Sequence, residues 1–158
     1  MYKLFLLLSV ISITCIACDK NKIFEENVAI ENNIWNIKKP IQLTIPVEDT
    51  QTPNNIYLNI RNATSYPFQN LYVFLEMTTP DGKKTQDTVG CTLQQNGEWT
   101  GECAGDICDN QVLFKTNYLF TQKGNYTFTL NQASYNEELP GIMDVGLRIE
   151  KIKNDASK

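Results

Sequence analysis

Apolar and polar residues alternate with a period of two along most of this chain. Ile41, Leu43, Ile45 and Val47 alternate with Gln42, Thr44, Pro46 and Glu48. Ile56, Leu58 and Ile60 alternate with Tyr57, Asn59 and Arg61, and Leu71, Val73, Leu75 and Met77 with Tyr72, Phe74 and Glu76. Successive strand side chains point to opposite faces, so this alternation predicts half-buried strands. Pro46 lacks an N–H, which predicts an edge position for its strand. A turn at Pro80-Asp81-Gly82 leads into a strand over 85–93. Tyr118 and Phe120 predict a short strand, Tyr126, Phe128 and Leu130 another after Gly124, and Val145, Leu147 and Ile149 a last one after Pro140-Gly141. A further short strand is expected around Ile23 to Ile30, and residues 106–116 have room for one helical turn. No long amphipathic helix is predicted. About eight strands separated by turn signals predict an all-β fold, a single antiparallel β-sandwich of immunoglobulin-like or jelly-roll-like type.

The start of the chain departs from this pattern. Lys3 precedes an apolar run from Leu4, and Cys15-Ile16-Ala17-Cys18 ends it before Asp19-Lys20. A charged start, a short apolar core and a small residue before the cut describe a secretory signal. The run of about fourteen residues, interrupted by Ser9, Ser12 and Thr14, is short of the twenty a spanning helix needs. A Cys directly after the small residue is the bacterial lipoprotein pattern. Cys18 is therefore the expected lipidation site, and Cys15, preceded by the bulkier Thr14, is the weaker candidate. The expected organisation is a signal peptide at 1–17, a lipidated Cys with tether and first strand at 18–33, a sandwich domain at 34–152 and a tail at 153–158.

Composition removes whole classes of chemistry. The 158 residues include no His, which excludes His-based acid–base catalysis, the Ser-His-Asp triad and His-ligated metal sites. No G-x-S-x-G elbow or Gly-rich phosphate loop is present. Asp106, Asp109 and Asn110 are too few for calcium spacing. No cofactor, no metal and no enzymatic activity are expected. The formal net charge of −4 becomes more negative once Lys3 is cut away, which argues against nucleic acid as a partner.

An exported chain sits where disulfides form. Asn96-Gly97 is a strong hairpin signal within 87–103. A three-residue loop at 96–98 sets Cys91 opposite Cys103 and favours a Cys91–Cys103 bridge. A two-residue turn instead sets Cys91 opposite Glu102, and Cys103–Cys108 is the competing bridge. Outward strand positions carry Tyr57, Arg61, Tyr72, Phe74 and Arg148. Aromatics beside Arg are common at interaction surfaces, and an aromatic strand face is also similar to those of sugar-binding sandwiches. That face suggests a protein partner first and a glycan second.

Taken as a set, several segments resemble the gliding motility lipoprotein GldH family of Bacteroidetes. They are Ile34-Trp35-Asn36, Asn55 through Asn62, Tyr66-Pro67, Asn70-Leu71-Tyr72, Pro80-Asp81-Gly82-Lys83, Trp99-Thr100-Gly101, Asp109-Asn110-Gln111 and, most specifically, Leu139 through Glu150. The resemblance implies a lipoprotein of the gliding machinery, linked with type IX secretion, partnered by other envelope proteins and tied to the membrane through its lipid. Its expected location is the outer membrane, facing the periplasm. Asp87-Thr88-Val89 also resembles the short O-glycosylation motif of Bacteroidetes, which makes Thr88 a candidate acceptor.

Overall fold

A computed structural model describes residues 20–152. Cys15, Cys18 and the tail 153–158 lie outside the described residues. The strands in chain order are β1 (Lys22–Ala29), β2 (Ile34–Asn36), β3 (Ile41–Val47), β4 (Asn54–Ala63), β5 (Asn70–Thr78), β6 (Lys84–Thr92), β7 (Gln94–Gln95), β8 (Glu98–Trp99), β9 (Glu102–Ala104), β10 (Ile107–Tyr118), β11 (Gly124–Gln132), β12 (Glu138–Pro140) and β13 (Ile142–Lys151). A single 3-10 turn at Glu31–Asn33 precedes β2. The long strands form a five-stranded sheet of order β1-β13-β4-β10-β9 and a four-stranded sheet of order β3-β11-β5-β6. All pairings are antiparallel.

The alternating residues explain the layering. Ile56, Leu58 and Ile60 of β4 and Val145, Leu147 and Ile149 of β13 face Leu71, Val73 and Leu75 of β5 and Tyr126, Phe128 and Leu130 of β11 across one buried core. Each such side chain contributes about 1.5–3 kcal/mol on burial. Trp35 and Leu139, paired across β2 and β12, join the same core. Phe120 sits just past β10, rather than in a strand with Tyr118, and packs edge-on against Tyr126 at 4.9 Å.

The sandwich and the edge placement of β3 follow the sequence pattern. The strand count does not: thirteen strands among the described residues replace about eight, because β2, β7, β8, β9 and β12 are two or three residues long, too short for a periodic signal. Residues 107–118 are a twelve-residue strand and not a helical turn. Its inward positions include Cys108 and Asn110, which breaks the apolar alternation. Asn110 is satisfied inside by Asn62 of β4, whose Oδ1 accepts from its Nδ2 at 2.8 Å. A buried amide pair of this kind is tolerated because each group finds a partner. The short strand expected around Ile23 to Ile30 is β1, which pairs along β13 as a sheet edge. Lys22, Glu25 and Glu26 give that edge the charge that discourages pairing with other chains.

The disulfide differs from the favoured expectation. Cys103 bonds to Cys108, its directly opposed partner across β9 and β10 with Cα atoms 4.0 Å apart, and Cys91 is free and buried. The reason lies in the hairpin. Asn96 and Gly97, both at positive φ, form a two-residue turn that pairs Gln94 with Trp99 and Gln95 with Glu98. The arms then part: β6 stays in the four-stranded sheet and β9 joins the five-stranded one. Cys91 therefore points into the core, where burial pushes its thiol up to about 12. Without reductant, a thiol reagent should label none of Cys91, Cys103 and Cys108 in the native domain, and Cys91 alone of these three after unfolding. Recovery of labelled Cys103 or Cys108 in the peptide digest contradicts this pairing. Closing so short a loop contributes about 2 kcal/mol in the chain-entropy picture, so reduction should lower the unfolding temperature by several degrees.

Acid sensitivity has identifiable sources. Asp49, in the turn between β3 and β4, accepts from Lys151 Nζ at 2.8 Å, from the Gln51 N–H at 2.9 Å and from Thr52 Oγ1 at 2.8 Å. The Lys151 contact first, then the turn donors, hold its carboxyl well below the usual carboxylate range. Thr79 and Lys83 do the same for Asp81 in the turn after β5. A depressed folded pKa contributes stability above the unfolded value, about 3.9 for Asp, and that stability is lost as pH falls towards the folded value. The unfolding temperature should therefore drop between about pH 4 and pH 2, and Asp49→Asn should flatten part of that slope in a thermal scan across pH.

Candidate functional site

The sandwich presents two outer faces of different chemistry. On the five-stranded sheet, strand register arranges the outward residues of β10, β4, β13 and β1 in three tiers. Asp109, Arg61 and Asp144 stand side by side in the first, Gln111, Asn59, Gly146 and Asn27 in the second, and Leu113, Tyr57, Arg148 and Glu25 in the third. In the first tier, Arg61 donates to both oxygens of Asp109 at 2.7 and 3.2 Å and reaches Asp144 at 3.5 Å. In the second, Gln111 Nε2 donates to Asn59 Oδ1 at 3.2 Å, and Asn59 Nδ2 donates to Asn27 Oδ1 at 3.1 Å. In the third, Arg148 joins Glu25 at 3.0 Å and also pairs with Glu150.

Gly146 makes the middle tier fit. A Cβ there would lie 2.1 Å from the Glu26 carbonyl oxygen and 2.2 Å from Asn27 Oδ1. Its absence lets the Asn27 amide fold over β13 and reach Asn59. A groove of about 810 Å³ runs above the tiers, with Thr100, Gly101 and Glu102 at one side.

The outer face of the four-stranded sheet is different. Tyr72 and Phe74 stand on β5, 52% and 41% exposed. Their neighbours are Gly90 and Thr88 on β6 and Asn131 on β11. The Tyr72 ring leans over Gly90, whose Cβ position is 3.2 Å from Tyr72 Cε1. Gln42 and Thr44 of β3 and Thr127 and Thr129 of β11 continue a mainly uncharged surface, and Lys84 pairs with Glu76 at its margin at 2.9 Å. Thr88 is exposed on this face opposite Phe74.

The five outward residues expected from the sequence are thus outward, but they are not one face. Tyr57, Arg61 and Arg148 lie on the five-stranded sheet, and Tyr72 and Phe74 on the opposite side of the sandwich. Alternation assigns a side chain to the inner or outer layer and carries no information on which sheet holds the strand. Asn27, Asp109, Gln111, Asp144 and Gly146 escaped the sequence reading as members of a shared surface. No local spacing marks them, because three separate register choices bring them together.

The family profile described as GldH lipoprotein matches residues 22–149, from the first residue of β1 to near the end of β13. The chain belongs to the GldH lipoprotein family. It is 32% identical over 146 residues to the gliding motility lipoprotein GldH homolog of Christiangramia forsetii, covering 87% of this chain and 89% of that protein. It is 30% identical over 148 residues to the gliding motility lipoprotein GldH of Flavobacterium johnsoniae, covering 89% and 91%. Membership of the GldH family makes the chain a motility-associated lipoprotein, anchored to a membrane of the cell envelope. Both faces fall inside the GldH-matching region, whereas Cys18 precedes it.

Proposed function

We propose that this chain is an outer-membrane lipoprotein of the gliding motility machinery, linked with type IX secretion, that works as a non-catalytic docking module. Cys18 holds it at the membrane facing the periplasm, and the folded domain binds another envelope protein. The observation that carries the reading is the Tyr72–Phe74 face, where two exposed aromatic rings stand on a rigid, mainly uncharged sheet surface. Aromatic side chains bury much area at low entropic cost and are the usual anchors of protein interfaces. The chain's composition also favours binding over catalysis, because it offers no His and no nucleophile elbow.

Gene deletion tests the reading. The deletion strain should lose surface spreading and release of type IX cargo, and the wild-type gene should restore both. Unchanged spreading and secretion in the deletion strain would contradict the proposal.

A further inference from the structure

We infer that the groove over the five-stranded sheet binds a neutral oligosaccharide, on the side of the sandwich opposite the docking face proposed above. The argument rests on the chemistry of the three tiers. The amide row Gln111–Asn59–Asn27 is held by its own hydrogen bonds across three strands. Gln111 Oε1 is left as an acceptor at one end and Asn27 Nδ2 as a donor at the other, with no protein partner among the described residues. Sugar hydroxyls donate and accept at once, so they fit a floor that offers both, and linked hydrogen bonds strengthen one another. Arg61 is fixed by Asp109 and Asp144, and Asp109 points its carboxylate along the same floor. At one end, Leu113 is 48% exposed beside its cross-strand neighbour Tyr57. Leu113, which lines the groove, supplies an apolar contact for the C–H face of a pyranose ring.

Size and charge narrow the ligand. A groove of about 810 Å³ lies in the range of ligand sites that bury a small molecule. Its lining carries Glu25, Glu102, Asp109 and Asp144 against Arg61. An excess of carboxylates disfavours phosphate, sulfate and uronic acid groups. An extended peptide is also a poor fit. Strand addition needs a regular free edge, and the edge of β10 beyond its pairing with β9 is bulged between Leu113 and Lys115 and between Lys115 and Tyr118. Lys115 there is turned to Asp87 of β6 at 2.8 Å. Edge bulges and an inward-turned lysine are devices that prevent strand pairing.

The test uses the full mature lipidated chain in a sugar-free zwitterionic detergent. Cellohexaose and hexa-N-acetylchitohexaose serve as neutral probes and a heparin hexasaccharide as the anionic one, and NMR follows the side-chain amides. At least one neutral probe should shift the Asn27, Asn59 and Gln111 amides, and heparin should not. Gln111→Ala, at an exposed position, should weaken binding roughly fivefold, the worth of one neutral hydrogen bond. Tyr72→Ser on the opposite sheet should leave the affinity unchanged. The inference is overturned if neither neutral probe moves these amides at millimolar concentration, if heparin binds as well, or if Gln111→Ala has no effect. Those outcomes leave the aromatic docking face untouched, because it lies on the other side of the sandwich.

Discussion

Replacing Gly146 with valine should detach β1 from the five-stranded sheet and destabilise the domain by about 3 kcal/mol or more, near the upper end of overpacking costs. The reason is that the obstruction is backbone. A Cβ at residue 146 meets the Glu26 carbonyl oxygen at 2.1 Å and the Asn27 Cα at 2.6 Å, so no side-chain rotation relieves the contact. Either β1 moves away from β13 or β13 shifts against β4, and both break the amide row through Asn27 and Asn59. Gly90→Ala is the control. Its Cβ would meet only the Tyr72 ring, at 3.2 Å, and that exposed ring can swing outward, so its cost should stay below about 1 kcal/mol. Urea unfolding of the two variants measures both values. Equal midpoints would show that β1 is not held as described.

Cys18→Ala should have an all-or-none effect on anchoring. A single acyl chain gives marginal membrane binding, and several chains on one residue give a stable anchor, since each buried methylene contributes about 0.8 kcal/mol. Labelled palmitate should be incorporated by the wild type and by Cys15→Ala, but not by Cys18→Ala. Complementation with Cys18→Ala should fail to restore spreading and secretion. Palmitate on the Cys18→Ala protein would move the anchor to Cys15 and the signal boundary with it.

Much of the fold was legible because burial on one side imposes period two. Ile41 to Val47, Asn54 to Ala63 and Asn70 to Thr78 read directly as strands. The sequence was less informative wherever an inward position is polar. Asn110 and Asn62 satisfy each other in the interior, so β10 lost its apolar signature. β1 was legible as a short strand around Ile23 to Ile30, but with a weak alternation, because Phe24, Val28 and the following Ile30 are the residues there that pack on the core. The disulfide turned on loop length: a two-residue turn at Asn96-Gly97 and the divergence after it send Cys91 and Cys103 to different sheets. The binding faces were legible only by layer. Tyr57 and Tyr72 share an alternation rule but not a sheet, and the tiers around Asn59 depend on pairings between residues far apart in the chain, such as Asn59 with Gln111 and with Gly146.

The docking claim is tested most directly by photo-crosslinking in cells. A photoreactive residue placed at Phe74, on the uncharged aromatic face, should yield a discrete crosslink to another envelope protein. The same probe at Gln86, on the edge strand of that sheet near Glu76, should give less of the same product, and Tyr72→Ser should reduce the Phe74 product. A Phe74 probe that captures no envelope protein, while the chain remains folded and lipidated, would contradict the account.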